Sequence, residues 1–210
     1  MTAVPVDHAA PDSRALLCQA DGQRLLYTGD LRAHGRTGFR FENPLADERV
    51  RGVDRLLCEG ITLGSSSGSH GLRSEADVEA ELLALALAEP GKLVAVAASG
   101  QNLDRLVSCF RAARRAGRQL VVDAYQAYVL RQLAPLSPNI PQVDWDGVRV
   151  KLAHHQVSRL ERAGLMDLAR EMSGRAYLGT REIVAHPDRF LGCPLLWYQQ
   201  KGECLRLMAS

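Results

Sequence analysis

Leu25-Leu26-Tyr27-Thr28-Gly29-Asp30-Leu31-Arg32 is the stretch whose reading decides the fold. Its short apolar run, Leu25-Leu26-Tyr27, predicts a buried strand. The run ends on Thr28-Gly29-Asp30, where glycine lets the backbone turn without a Cβ clash. The aspartate then stands on a loop held by a rigid strand, the usual place for ligands and catalytic groups. Such a triplet is by itself a common turn former. Here Asp7-His8 lies upstream and Leu57-Cys58-Glu59 downstream, each beside a candidate strand.

Just before this stretch, Asp21-Gly22 signals a tight hairpin, because both central residues tolerate positive φ. Ala15-Leu16-Leu17-Cys18 reads as the outgoing strand, and residues 23–27 as the return, so residues 14–28 predict a β-hairpin. His8 precedes that hairpin and Asp30 follows it. A hairpin returns the chain to its start, so the imidazole and the carboxylate are expected to converge. This expectation rests on the turn chemistry alone.

The 210 residues leave room for one large domain or two small ones. Hydrophobic residues make up 46% and charged residues 24%, as in an ordinary soluble globular protein. A net charge of +2 is too small to imply nucleic-acid binding, although arginines concentrate between Arg105 and Arg131. The cysteines, Cys18, Cys58, Cys109, Cys193 and Cys204, form no Cys-x-x-Cys pair, which argues against a zinc ribbon. Reduced, buried thiols and a cytoplasmic location are expected. No stretch approaches the roughly 18 apolar residues of a membrane span. The first eleven residues are polar, are expected to form a loop, and lack the apolar core of a signal peptide.

Further along, residues 53–58 predict a strand ending in Glu59-Gly60, and residues 64–71 a flexible glycine-serine loop. Ser74 with Glu75 and Asp77 marks a helix start. Val78, Leu82, Leu83 and Leu87 are its expected apolar stripe, and Pro90-Gly91 its stop. Residues 92–98 form an apolar β run, followed by a helix over 103–116 with Leu103, Leu106, Val107 and Phe110 inward, and by a strand over 119–122 ending in Asp123. This β-α-β unit is expected to be parallel. A helix over 125–133, a linker over 135–141, a strand over 148–152 and one amphipathic helix over 156–173 complete the main pattern. Residues 176–178 and 195–198 are weaker strand candidates.

Asp7-His8 before a hairpin, then Tyr27-Thr28-Gly29-Asp30, then Leu57-Cys58-Glu59-Gly60-Ile61-Thr62, resemble consecutive motifs of the metallo-β-lactamase-fold hydrolases. More narrowly, they resemble the β-CASP branch, which includes ribonuclease J-type nucleases. Ala98-Ser99-Gly100-Gln101-Asn102-Leu103-Asp104-Arg105-Leu106, Arg114-Arg115-Ala116-Gly117-Arg118 and Val121-Val122-Asp123-Ala124-Tyr125 are similar to the start of the β-CASP insertion. Arg181-Glu182-Ile183 and His186-Pro187-Asp188-Arg189-Phe190 share that character.

The resemblance implies an α/β chain in two parts: residues 1–74 as half of an αββα metallo-β-lactamase sandwich, and residues 75–210 as a β-CASP-like parallel α/β domain. It implies zinc as cofactor, two ions in the parent family, with hydrolysis of phosphodiesters in RNA. His8 and Asp30 are the implied metal ligands, Asp30 bridging, and Glu59 an acid that supports the site. The family's His-x-His-x-Asp-His motif is absent, no histidine follows His186, and a catalytic zinc normally takes three protein ligands. The chain therefore reads as the middle of such an enzyme and is expected to be inactive alone.

Two other readings stay open. One is a non-catalytic RNA- or nucleotide-binding module using Arg105, Arg114, Arg115 and Arg118, although such a cluster is mostly the solvated face of one helix. The other is a subunit that completes its metal site with a partner. A half-sandwich also implies a homo-oligomer or a partner chain covering its open face. His154-His155 reads as a surface pair, and Ser99-Gly100-Gln101-Asn102 as a helix cap.

Overall fold

A computed structural model describes residues 1–36, 47–60 and 73–192. The chain divides into two compact units, Met1–Asp77 and Val78–Ser210. It is a mixed α/β protein.

Among the described residues, the first unit holds one mixed sheet in the order β1-β2-β3-β4. Its strands are β1 (Thr2–Pro5), β2 (Arg14–Ala20), β3 (Gln23–Tyr27) and β4 (Arg55–Leu57). The β2–β3 hairpin forms as the sequence predicts. Asp21 and Gly22 carry φ of +49° and +74°, the left-handed pair that a two-residue hairpin turn requires. The polar amino-terminal loop is corrected to an edge strand, since Thr2 to Pro5 pair antiparallel with Leu17 to Arg14. Val4, Val6 and Ala15 are buried on one face of the sheet, packed by Leu26, Leu31 and Val50. β4 joins β3 in parallel, with Leu25 opposite Arg55 and Tyr27 opposite Leu57.

Helix α1 (Glu75–Ala88) begins where Ser74 and Asp77 exchange hydrogen bonds, a contact that holds the Asp77 carboxyl below its ordinary range. Its inward stripe differs from expectation: Ala86 is buried whereas Leu87 is 61% exposed.

In the second unit a parallel sheet has the order β5-β8-β6-β7 among the described residues. Its strands are β5 (Val94–Ala95), β6 (Gln119–Asp123), β7 (Val148–Lys151) and β8 (Phe190–Gly192). Of the β run expected over 92–98, Val94–Ala95 form a strand, paired with Leu191 and Gly192 of β8. The strands of the expected β-α-β unit are parallel but not adjacent, since β8 inserts between them. The helices are α2 (Leu103–Arg115), α3 (Ala124–Leu133), α4 (His154–Arg162), α5 (Met166–Ser173) and α6 (Thr180–Ala185). One expected helix over 156–173 is thus two, broken where Gly164 adopts φ +69°. The linker at 135–141 begins inside a 3-10 turn, Ala134–Leu136, and the strand candidate at 176–178 makes only a single bridge from Tyr177 to Val150.

The main core lies on one face of this sheet, where Leu106, Cys109 and Phe110 of α2 and Leu130 of α3 meet Leu120, Val122, Val150 and Leu191. Phe190, Val121, Leu178 and Ile183 form a second cluster. Buried thiols hold for Cys109, but Cys18 is half-buried and Cys58 is exposed. The glycine-serine loop, the strand candidate at 195–198, and Cys193 and Cys204 lie outside the described residues. No described helix is long and apolar enough to cross a membrane.

Candidate functional site

Three segments of the first unit bring His8, Asp30 and Glu59 to one rim of its sheet. His8 lies in the connection from β1 to β2, closed by the Val6 N–H donating to the Ser13 carbonyl at 3.0 Å. Asp30 follows β3 after Gly29, whose φ of +59° turns the chain at the strand end. Thr28 is buried, and its hydroxyl donates to the Gly29 carbonyl at 2.8 Å, fixing the turn. Because β4 runs parallel to β3, the residues beyond both strands emerge on the same side. That register delivers Glu59 next to the Asp30 loop, where its Oε1 accepts the Leu31 N–H at 2.8 Å.

His8 Nε2 lies 3.9 Å from Asp30 Oδ2, so the convergence expected from the hairpin occurs. The imidazole is about one-third exposed and the carboxylate about two-thirds, at 31% and 67%. His8 Nδ1 accepts the Ala10 N–H at 3.4 Å, which leaves the proton of a neutral ring on Nε2.

The site can be tested for zinc by its own spacing. Two metal bonds of ~2 Å span at most ~4 Å, so one ion reaches both donors if they close slightly. Ligation through Nε2 shifts the ring proton to Nδ1 and gives up the long Ala10 bond. The two side chains therefore fit as donors to one divalent ion. A complete centre needs a third donor, and no group of three or more His, Cys, Asp or Glu among the described residues could hold a metal. Glu59 is engaged with Leu31 and fits a supporting rather than a ligating part.

Two further residues escape sequence reasoning. Asp7 is fully buried, and Arg32 Nε lies 3.6 Å from its Oδ2. Both stand in the quoted motifs, but nothing in their spacing announces the pair.

The expected nucleic-acid-binding arginines do not form one face. Arg111 and Arg115 reach Glu79 at 4.0 and 3.4 Å, and Arg114 is exposed with its guanidinium 5.8 Å from the Phe110 ring centre. Arg105 is half-buried near the start of α2, and its N–H donates to Asn102 Oδ1 at 3.1 Å, the cap expected of that loop. Arg118 is corrected outright: it is 5% exposed and donates to the carbonyls of Ala86, Glu89, Lys92 and Phe190. A buried guanidinium bound to backbone oxygens is not offered to a phosphate. Of the histidine pair, His154 is exposed as expected of a surface residue. A cleft of about 260 Å³ in the second unit is lined by Met172, Asp144 and the Arg131–Glu171 ion pair, and it brings together no catalytic constellation.

No family model and no curated protein matches the chain. Among solved structures it is similar to a protein of unknown function from Enterococcus faecalis V583, with a TM-score of 0.52 and 18% identity. The match covers 91% of this chain and 51% of that one, so the chain spans about half the length of the structure it matches. A likeness at this identity concerns the fold alone.

Proposed function

We propose that the chain is a fragment-like member of the metallo-β-lactamase-fold hydrolases, β-CASP branch, and that its first unit carries part of a zinc centre for hydrolysis of phosphodiesters in RNA. The observation that carries this reading is the 3.9 Å approach of His8 to Asp30 at the sheet rim. Support comes from the parallel β3–β4 register that sets Glu59 beside Asp30, and from the parallel sheet of the second unit. When bound, zinc would lower the pKa of a water and stabilise charge on the scissile phosphate. The chain's own residues hold the donors: Glu59 accepts the Leu31 N–H and so fixes the loop that carries Asp30.

Zinc titrated into the purified chain is expected to shift the His8 ring resonances with a weak, two-donor affinity. His8→Ala or Asp30→Ala should weaken that binding at least about tenfold. The chain alone should cleave no RNA phosphodiester above a metal-free control. Zinc binding unchanged by both substitutions removes the proposal, and robust cleavage by the chain alone removes its incomplete-site part.

A partner that completes the site is favoured by a specific observation. Leu16 faces Tyr27 and Tyr27 faces Leu57 across the sheet, and Tyr27 and Leu57 are 50% and 53% exposed. Directly opposed residues share a face, so these side chains form an apolar patch, and burying the half of each that is still exposed is worth ~1 kcal/mol per side chain. The chain is expected to elute above its 23.0 kDa monomer mass in light-scattering chromatography, as a homo-oligomer or with a bound partner. A monodisperse monomer overturns this.

A further inference from the structure

We infer that Asp7 and Arg32, with Gly35 between them, form a buried clamp that positions His8 and Asp30 for metal binding. The inference rests on the proposed zinc site and adds residues to it that bind no metal themselves. Asp7 adjoins His8 in the chain, and Arg32 lies two residues beyond Asp30. The clamp therefore grips the two segments that carry the donors, each within two residues of its donor.

Its contacts are backbone as well as side chain. The Arg32 N–H donates to the Asp7 carbonyl at 2.9 Å, and Arg32 Nη2 donates to the His8 carbonyl at 3.3 Å. The Gly35 N–H donates to Asp7 Oδ2 at 3.0 Å, while Arg32 Nε approaches the same oxygen at 3.6 Å. The Asp7 side chain is 0% exposed and that of Arg32 11%. Gly35 is required by proximity: a Cβ there would lie 2.5 Å from both Asp7 Oδ1 and Arg32 Nη2. A side chain at this position requires one of these two buried side-chain ends to shift.

Buried ion pairs are a poor source of stability, because desolvation offsets much of their attraction. An apolar pair of similar volume would hold the loops together equally well. What the charged pair adds, beside the Arg32 N–H bond to the Asp7 carbonyl at 2.9 Å, is a fixed register between the two loops. Here that register sets the separation between the imidazole and the carboxylate.

The test removes both charges together, so that neither is left buried alone. Asp7→Asn with Arg32→Met keeps volume and keeps an acceptor for the Gly35 N–H. Zinc alone is titrated into the full chain, followed through His8 ring resonances assigned by their loss in His8→Ala. The double variant should keep the melting temperature near that of the parent chain but bind zinc at least tenfold more weakly. Arg32→Lys, which retains the charge, should recover part of the affinity. A folded double variant that binds zinc within twofold of the parent overturns the clamp while leaving the zinc site standing. If the double variant does not fold, Gly35→Ala supplies the same readout, with at least tenfold weaker zinc binding expected and parent-like binding overturning the clamp. A parent chain whose His8 resonances ignore zinc defeats both the site and the clamp.

Discussion

Arg118→Ala is expected to cost the second unit ~3–5 kcal/mol of stability, the range reached when a buried charge-assisted network is broken. One guanidinium there serves four oxygens: Nη1 donates to the carbonyls of Lys92 at 2.6 Å and Phe190 at 3.3 Å, and Nη2 to those of Ala86 and Glu89 at 2.7 Å each. Ala86 and Glu89 lie at the carboxyl end of α1, where orphan carbonyls and the helix dipole both favour a cation. Lys92 precedes β5, and Phe190 begins β8. The single side chain thus ties a helix end to the starts of two strands. Burial pushes its pKa down and Asp188 opposes this, but an arginine begins so far above neutrality that it keeps its charge. Truncation leaves four carbonyls facing a cavity. Arg118→Lys should recover only part of the loss, since one ammonium cannot reproduce the planar fork. Urea unfolding of the second unit measures it; a loss below about 1 kcal/mol for Arg118→Ala would show that water replaces the guanidinium. Loss of RNA binding in this variant would report unfolding rather than a lost phosphate contact.

The same arginine shows where sequence reading stops. Arg111, Arg114, Arg115 and Arg118 follow helical spacing and read as one face. The helix ends at Arg115, close to the expected end at 116, so helical spacing does not carry on to Arg118. Gly117 takes φ +70°, its N–H donates to the Arg114 carbonyl, and the Arg118 N–H donates to Ala113. These are the two bonds of a Schellman cap, and they turn the chain inward one residue before Arg118. The Asp21-Gly22 hairpin was legible because its signal is local, and the approach of His8 to Asp30 followed from it. The Asp7–Arg32 pair flanks the same hairpin but was not, because spacing does not tell that these two side chains turn inward and are buried. β1 was hidden for a related reason. Thr2–Pro5 is short and holds a proline at its end, so pairing with β2 rather than intrinsic propensity makes it a strand. The break at Gly164 was missed because apolar residues keep helical spacing across it.

Phe190→Ala should destabilise the second unit by ~3–5 kcal/mol, the range for truncating a buried aromatic. Among the described residues β8 (Phe190–Gly192) is short, yet it occupies an interior position of its sheet. It pairs with β5 through Leu191 and Gly192 and with β6 through Phe190, Leu191 and Gly192. Phe190 is fully buried against Val121, Leu178 and Ile183, with Leu93 packed beside them. The ring is the largest side chain of that cluster, so its loss opens a cavity that short, paired strands cannot collapse to fill. Phe190→Leu, which retains most of the volume, should recover a large part of the stability. Leu165→Ala, at a site 45% exposed, should change it by less than ~0.5 kcal/mol. Equal effects of Phe190→Ala and Leu165→Ala in urea melts would mean that β8 is dispensable to the sheet. That outcome would conflict with the strand order, in which β5 and β6 of the described residues are joined only through β8.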